Sequence, residues 1–112
     1  MELKLKRPIC FFDLEATGVN VVNDRIVEIG ILKIFPNGNK ENHTWLVNPG
    51  IPMSDEVIAI HGITNEKVAN EPTFKELAHR VHDMIKDSDL GGYNSNKFDI
   101  PMLTEEFLRA GI

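Results

Sequence analysis

Apolar and polar positions along this chain fall into short blocks that change period. Ile9 to Phe12 is an unbroken apolar run closed by Asp13, which predicts a short buried strand. Ile26 to Phe35 is a longer apolar stretch, interrupted by Glu28, Gly30 and Lys33. It leads into Pro36-Asn37-Gly38-Asn39, whose Asn-Gly step is a hairpin signal. Thr44 to Val47 reads as the returning strand, stopped by Asn48-Pro49-Gly50. Beyond it the period lengthens. Ser54 can cap a short helix whose opening acids, Asp55 and Glu56, suit the positive end of its dipole. Thr64 can cap a further turn through Asn65 to Val68. Thr73 and Glu76 stand at capping-box spacing, ahead of Phe74, Leu77, Ala78, Val81 and Ile85 at helical intervals. Leu90 to Tyr93 predicts a fourth strand, and from about Lys97 a last helix runs toward Ala110, burying Ile100, Leu103 and Phe107. Pro101 fits only in that helix's first turn, and Gly111 supplies a stop.

The order β-β-β-α-β-α implies an α/β fold with a mixed sheet and flanking helices. The first and fourth strands are the natural parallel neighbours, joined by a right-handed helical crossover, so their ends open on one crevice. With 112 residues, 42% hydrophobic and 26% charged, the chain has the size and composition of one soluble domain. No apolar run approaches the roughly 20 residues of a membrane span, and the first eight residues carry no signal-peptide core. The single cysteine, Cys10, lies in the first apolar run as a buried strand residue and permits no disulfide framework. A cytoplasmic protein is expected. The net charge of −5 excludes nucleic-acid binding by bulk electrostatics alone. Any such contact must be local, with metal ions inverting the charge of an acidic pocket.

Asp13-Leu14-Glu15-Ala16-Thr17-Gly18 follows the first apolar run. In extended backbone, residues two apart share a face, so Asp13 and Glu15 aim two carboxylates at one place. Uncompensated, such a pair at the end of a buried strand costs several kcal/mol in order of magnitude. A divalent cation removes that cost, and Mg²⁺ and Mn²⁺ prefer hard oxygen ligands of this kind. Gly18 is expected to turn the backbone away and leave room for a ligand against residues 14 to 17. A second constellation, Gly92-Tyr93-Asn94-Ser95-Asn96-Lys97-Phe98-Asp99, lies between the fourth strand and the last helix. It places Asp99 in a first helical turn, where the dipole favours the ionised form.

Together the two segments resemble the first and second motifs of the DEDD exonucleases, the family that includes the proofreading subunit of bacterial replicative DNA polymerase. Asp13-x-Glu15-x-Thr17-Gly18 is similar to the first motif and Asn94-x-x-x-Phe98-Asp99 to the second, with Ile60-His61-Gly62-Ile63-Thr64 between them. The resemblance implies a ribonuclease-H-like fold and two-metal hydrolysis of a phosphodiester at the 3′ end of a single-stranded nucleic acid, with DNA favoured over RNA but the choice between them left open. It implies Asp13, Glu15 and Asp99 as ligands of two Mg²⁺ or Mn²⁺ ions. Leu14, Ala16, Thr17, Gly18 and Asn94 would lie near the terminal nucleotide, Ile60 and His61 would line its sugar and base, and Phe98 would stack on the last bases. DNA polymerase subunits are implied as partners.

A complete member carries a third motif, a His or Tyr ahead of a fourth metal-binding Asp. Here the residues after Asp99 hold neither. His79 and His82 precede the second motif and read, like His43, as solvated surface residues. Residues 1–112 are therefore expected to be the N-terminal portion of an exonuclease domain, its C-terminal part missing, its activity impaired and one sheet edge exposed to self-association. Glu28, inside an apolar strand, has no firm role at this level. Two alternatives compete: a non-catalytic module of the same fold that binds nucleic acid or a polymerase, and a phosphatase of the haloacid-dehalogenase type. The latter wants an Asp where Glu15 stands.

Overall fold

The computed structural model describes residues 6–92 and 98–112. The elements follow the order β1 (Ile9–Ala16), β2 (Ile26–Ile34), β3 (Lys40–Leu46), α1 (Asp55–His61), α2 (Asn65–Val68), α3 (Phe74–Ile85), β4 (Asp89–Gly92) and α4 (Ile100–Arg109). The four strands form one sheet in the order β3-β2-β1-β4. β1 and β2 pair antiparallel, as do β2 and β3, whereas β4 lies parallel to β1. The mixed α/β sheet with flanking helices is the expected one. Among the described residues, no helix is long and apolar enough to cross a membrane.

Local chemistry accounts for the elements. In the β2–β3 hairpin, Gly38 takes φ +88°, and the Asn37 side chain accepts the N–H of Asn39 at 2.9 Å. Ser54 Oγ accepts the Val57 N–H and Thr64 Oγ1 the Lys67 N–H, capping α1 and α2. Thr73 and Glu76 complete a reciprocal capping box on α3. Cys10, Phe12, Leu14 and Ala16 alternate onto one face of β1 and pack with Phe74, Leu77, Ala78 and Val81 of α3 and with Met102 and Leu103 of α4. Full burial of a side chain such as Val81 contributes about 1.5–3 kcal/mol. A second cluster, Val27, Met53, Ile63 and Val68, seats α1 and α2 beside β2.

Two strand boundaries differ from the sequence reading, each for a pairing reason. β1 does not stop at Phe12. Its acidic stretch keeps pairing with β2, Asp13 opposite Gly30 and Glu15 opposite Glu28, until the register shifts between Glu15 and Ala16. β3 begins at Lys40 rather than Thr44, because the tight turn lets pairing resume at once, with Ile34 opposite Lys40. α4 spans Ile100–Arg109 with Pro101 in its first turn, and helical backbone already runs through Phe98 and Asp99; Lys97, where the sequence starts this helix, lies outside the described residues. Asp99 stands at its N-cap in helical backbone, and its side chain makes no capping hydrogen bond. Tyr93 and Asn94, to which the sequence assigned a strand end and a substrate contact, lie outside the described residues.

Candidate active site

β1 sorts its side chains by alternation. Cys10, Phe12, Leu14 and Ala16 point into the core, so Asp13 and Glu15 emerge together on the opposite face. Asp13 is exposed and Glu15 half-buried. Opposite Glu15 in the cross-strand register stands Glu28, which brings a further carboxylate to the same region. Asp99, buried at the head of α4, is near enough to act electrostatically on Glu15. Burial pushes the Glu15 carboxyl above its ordinary range. Asp13 pushes it the same way, His61 opposes the shift, and Glu28 and Asp99 add to it.

The structure thus brings Asp13, Glu15 and Asp99 into one electrostatic neighbourhood. It does not close them into a cage: among the described residues no group of three or more His, Cys, Asp or Glu side chains could hold a metal ion as they stand. The donor chemistry nevertheless fits a divalent cation. All the donors are hard carboxylate oxygens, the ligand type that Mg²⁺ and Mn²⁺ prefer, and burial with the neighbouring Asp13 holds the Glu15 carboxyl above its ordinary range.

Beside the acids lies a pocket of about 260 Å³. Glu15 lines it together with six residues that the sequence had assigned to substrate: Leu14, Ala16, Gly18, Ile60, His61 and Phe98. His61 Nδ1 accepts the Ile63 N–H at 3.0 Å, which leaves the ring proton on Nε2 in the neutral tautomer. Among the described residues, that Nε2 is the buried side-chain polar atom with no hydrogen-bond partner. An unmatched buried donor costs about 1–3 kcal/mol, so the pocket favours a polar guest group.

Thr17 and Gly18 also organise the loop beyond β1. The Thr17 hydroxyl donates to Asp24 Oδ1 at 2.8 Å and accepts the Arg25 N–H at 3.0 Å, so it ties the loop to the end of β1. Gly18 has no positive φ, and its lack of a side chain makes room for the Asp24 carboxylate. That carboxylate also accepts the Asn20 N–H at 2.8 Å. Sequence reasoning missed Val19 and Val57 of the pocket, and Asp24. Of the features it left without a role, Glu28 alone carried a signal: a lone acid inside an apolar strand. His43, His79 and His82 are exposed.

Comparisons with known proteins give a family and a fold. The RNase_T family model, described as an exonuclease, matches residues 10–112. The chain is 34% identical over 106 residues to the DNA polymerase III subunit epsilon of Buchnera aphidicola subsp. Schizaphis graminum, covering 88% of this chain and 45% of that protein. It is 30% identical over 111 residues to the PolC-type DNA polymerase III of Caldanaerobacter subterraneus subsp. tengcongensis, covering 99% of this chain and 8% of that one. The chain therefore spans less than half the length of these relatives. In fold it is similar to a product-bound exonuclease I, with a TM-score of 0.84 at 20% identity over 95% of this chain and 26% of that chain. It is equally similar to E. coli exonuclease I in complex with a dT13 oligonucleotide, with a TM-score of 0.83 at 20% identity over 94% of this chain and 24% of that chain.

Proposed function

Because this chain belongs to the RNase_T family of exonucleases, we propose that it removes nucleotides from the 3′ end of single-stranded DNA by metal-assisted phosphodiester hydrolysis. The observation that carries this reading is the adjacency of Asp13, Glu15 and Asp99 to a pocket with an unmatched donor at His61. Asp13, Glu15 and Asp99 would together supply the carboxylate ligands of the metal ions. Exonucleases of this family generally use divalent metal ions. Bound there, such ions stabilise charge on the scissile phosphate and generate a nucleophile near neutral pH. The pocket takes the terminal nucleoside, with Ile60 as an apolar wall and Phe98 offering a face to a base whatever its identity. His61 Nε2 donates to the sugar or base. Two relatives are replicative polymerase components, so a polymerase is the favoured protein partner, in the cytoplasm.

Residues 1–112 hold no histidine after Asp99 to take the proton of the attacking water, a role worth about 10²–10⁴-fold. Assayed by themselves, these 112 residues are expected to be slow. The test uses the 112-residue protein with Mn²⁺ and a 5′-labelled single strand, its 3′-blocked counterpart, and RNA of the same sequence. Slow, Mn²⁺-dependent shortening of the unblocked DNA, abolished by Asp13→Asn, is expected. Absence of Mn²⁺ binding by calorimetry, with Asp13→Ala indistinguishable from the parent, overturns the reading in favour of a non-catalytic module. Shortening at the rate of intact enzymes overturns only the expected impairment.

A further inference from the structure

α4 carries Asp99 at its head, but what fixes α4 lies two turns down the helix. Glu106 is 4% exposed, seven residues beyond Asp99 and hence on the same helical face. Its Oε2 accepts the N–H of Ile26, the first residue of β2, at 3.0 Å. Its Oε1 accepts from Arg109 Nη2 at 2.6 Å and from Arg109 Nε at 3.0 Å, a two-pronged charge-assisted pair. Arg109 then reaches away from the helix, donating from Nη1 to Val22 O at 3.1 Å and from Nη2 to Asp24 O at 3.2 Å. Those carbonyls belong to the loop that Asp24 closes onto Thr17 and Asn20, immediately beyond Asp13 and Glu15.

The apolar contacts of α4, through Met102 and Leu103, hold it to the core without fixing its rotation or slide, because burial is non-directional. Directional bonds from one buried carboxylate and one guanidinium do fix them. A buried ion pair is weak as a source of net stability, since replacing both partners by apolar side chains of similar volume is often neutral. Its contribution here is geometric. We propose that Glu106, acting with Arg109, is the positioning residue that sets where Asp99 stands relative to Asp13 and Glu15. The inference rests on the metal-site reading above and names the element that governs the site's closure.

The test compares the parent protein with Glu106→Met, which keeps the volume, and Glu106→Gln, which keeps an acceptor for Ile26 but loses the charge. Amide resonances are followed during Mn²⁺ titration, beside metal-free amide exchange and thermal unfolding. In the parent, Mn²⁺ broadens residues 13 to 15 together with Asp99 and Ile100. In Glu106→Met, broadening at 13 to 15 persists, whereas at Asp99 and Ile100 it needs roughly 10–100-fold more Mn²⁺, the usual cost of removing a group that orients a ligand. Glu106→Gln falls between. Metal-free exchange at Met102 and Leu103 quickens at least about tenfold, with the melting temperature within a few degrees of the parent. Unchanged Mn²⁺ response at Asp99 in both variants overturns the proposal. Should the parent show no broadening at residues 13 to 15, the metal-site reading fails instead. Metal-free exchange then decides the clamp, which unchanged rates at Met102 and Leu103 refute.

Discussion

A methyl group on Gly18 would stand 2.5 Å from Asp24 Oδ2 and 2.8 Å from its Cγ, closer than side-chain carbons ever approach. The Asp24 carboxylate cannot retreat without surrendering its bonds to Thr17 and Asn20. Gly18→Ala is therefore expected to cost about 1–3 kcal/mol in urea unfolding. Combined with Asp24→Ala it should cost clearly less than the two single losses together, because both remove the same arrangement. Glu15 gives a second prediction, through pH. Its folded carboxyl is raised by burial and by Asp13, so the folded state favours the protonated form. The sign follows: stability is fully present below the ordinary value of 4.5 and is lost as pH rises through the folded value. Glu15→Gln should accordingly melt a few degrees higher than the parent at neutral pH in chelator. That advantage should shrink as pH falls toward 4.5 and should also shrink when Mn²⁺ is added to the parent.

Among the elements, α3 is the crossover that carries the chain from the β3 edge to β4, and its capping box makes its start sharp. Thr73→Ala removes the acceptor for the Glu76 N–H and is expected to cost about 1 kcal/mol by thermal or chemical unfolding. Capping residues of this kind act over three positions, which is why all three helix starts from Ser54, Thr64 and Thr73 could be read from sequence. The hairpin could be read for the same reason, since Asn37-Gly38 specifies its own turn. The acids of β1 could be placed on one face from spacing alone. What sequence could not supply was long-range partnership. The continuation of β1 to Ala16 depends on β2, and the commitment of Thr17 to Asp24 depends on a loop with no regular period. Glu106 drew no assignment from sequence, since its bond to Ile26 spans 80 positions.

For the molecule as a whole, a net charge of −5 opposes a polyanion at long range. Binding of a single strand should then depend on the metal site and the pocket rather than on released counterions. Fluorescence anisotropy with a short oligonucleotide is expected to show binding with Mn²⁺ and none in chelator. The logarithmic salt dependence should be shallow, at a slope near or below about −2, where a basic protein making 6–10 phosphate contacts is far steeper. A steep slope, or full binding in chelator, would mean an undetected basic surface carries the affinity. The parallel pairing of β1 with β4 has a consequence of another kind. β1, β2 and β3 are joined by local hairpin-like steps, but Ile9 meets Asp89 only after the intervening chain has come around. Loop closure over that distance is slow, so the acid-bearing strand is expected to be in place well before the strand that delivers the segment leading to Asp99. During refolding the protein therefore passes through a stage in which β1, β2 and β3 are paired while Asp99 is still remote from Asp13 and Glu15, so the acids meet only when β4 docks.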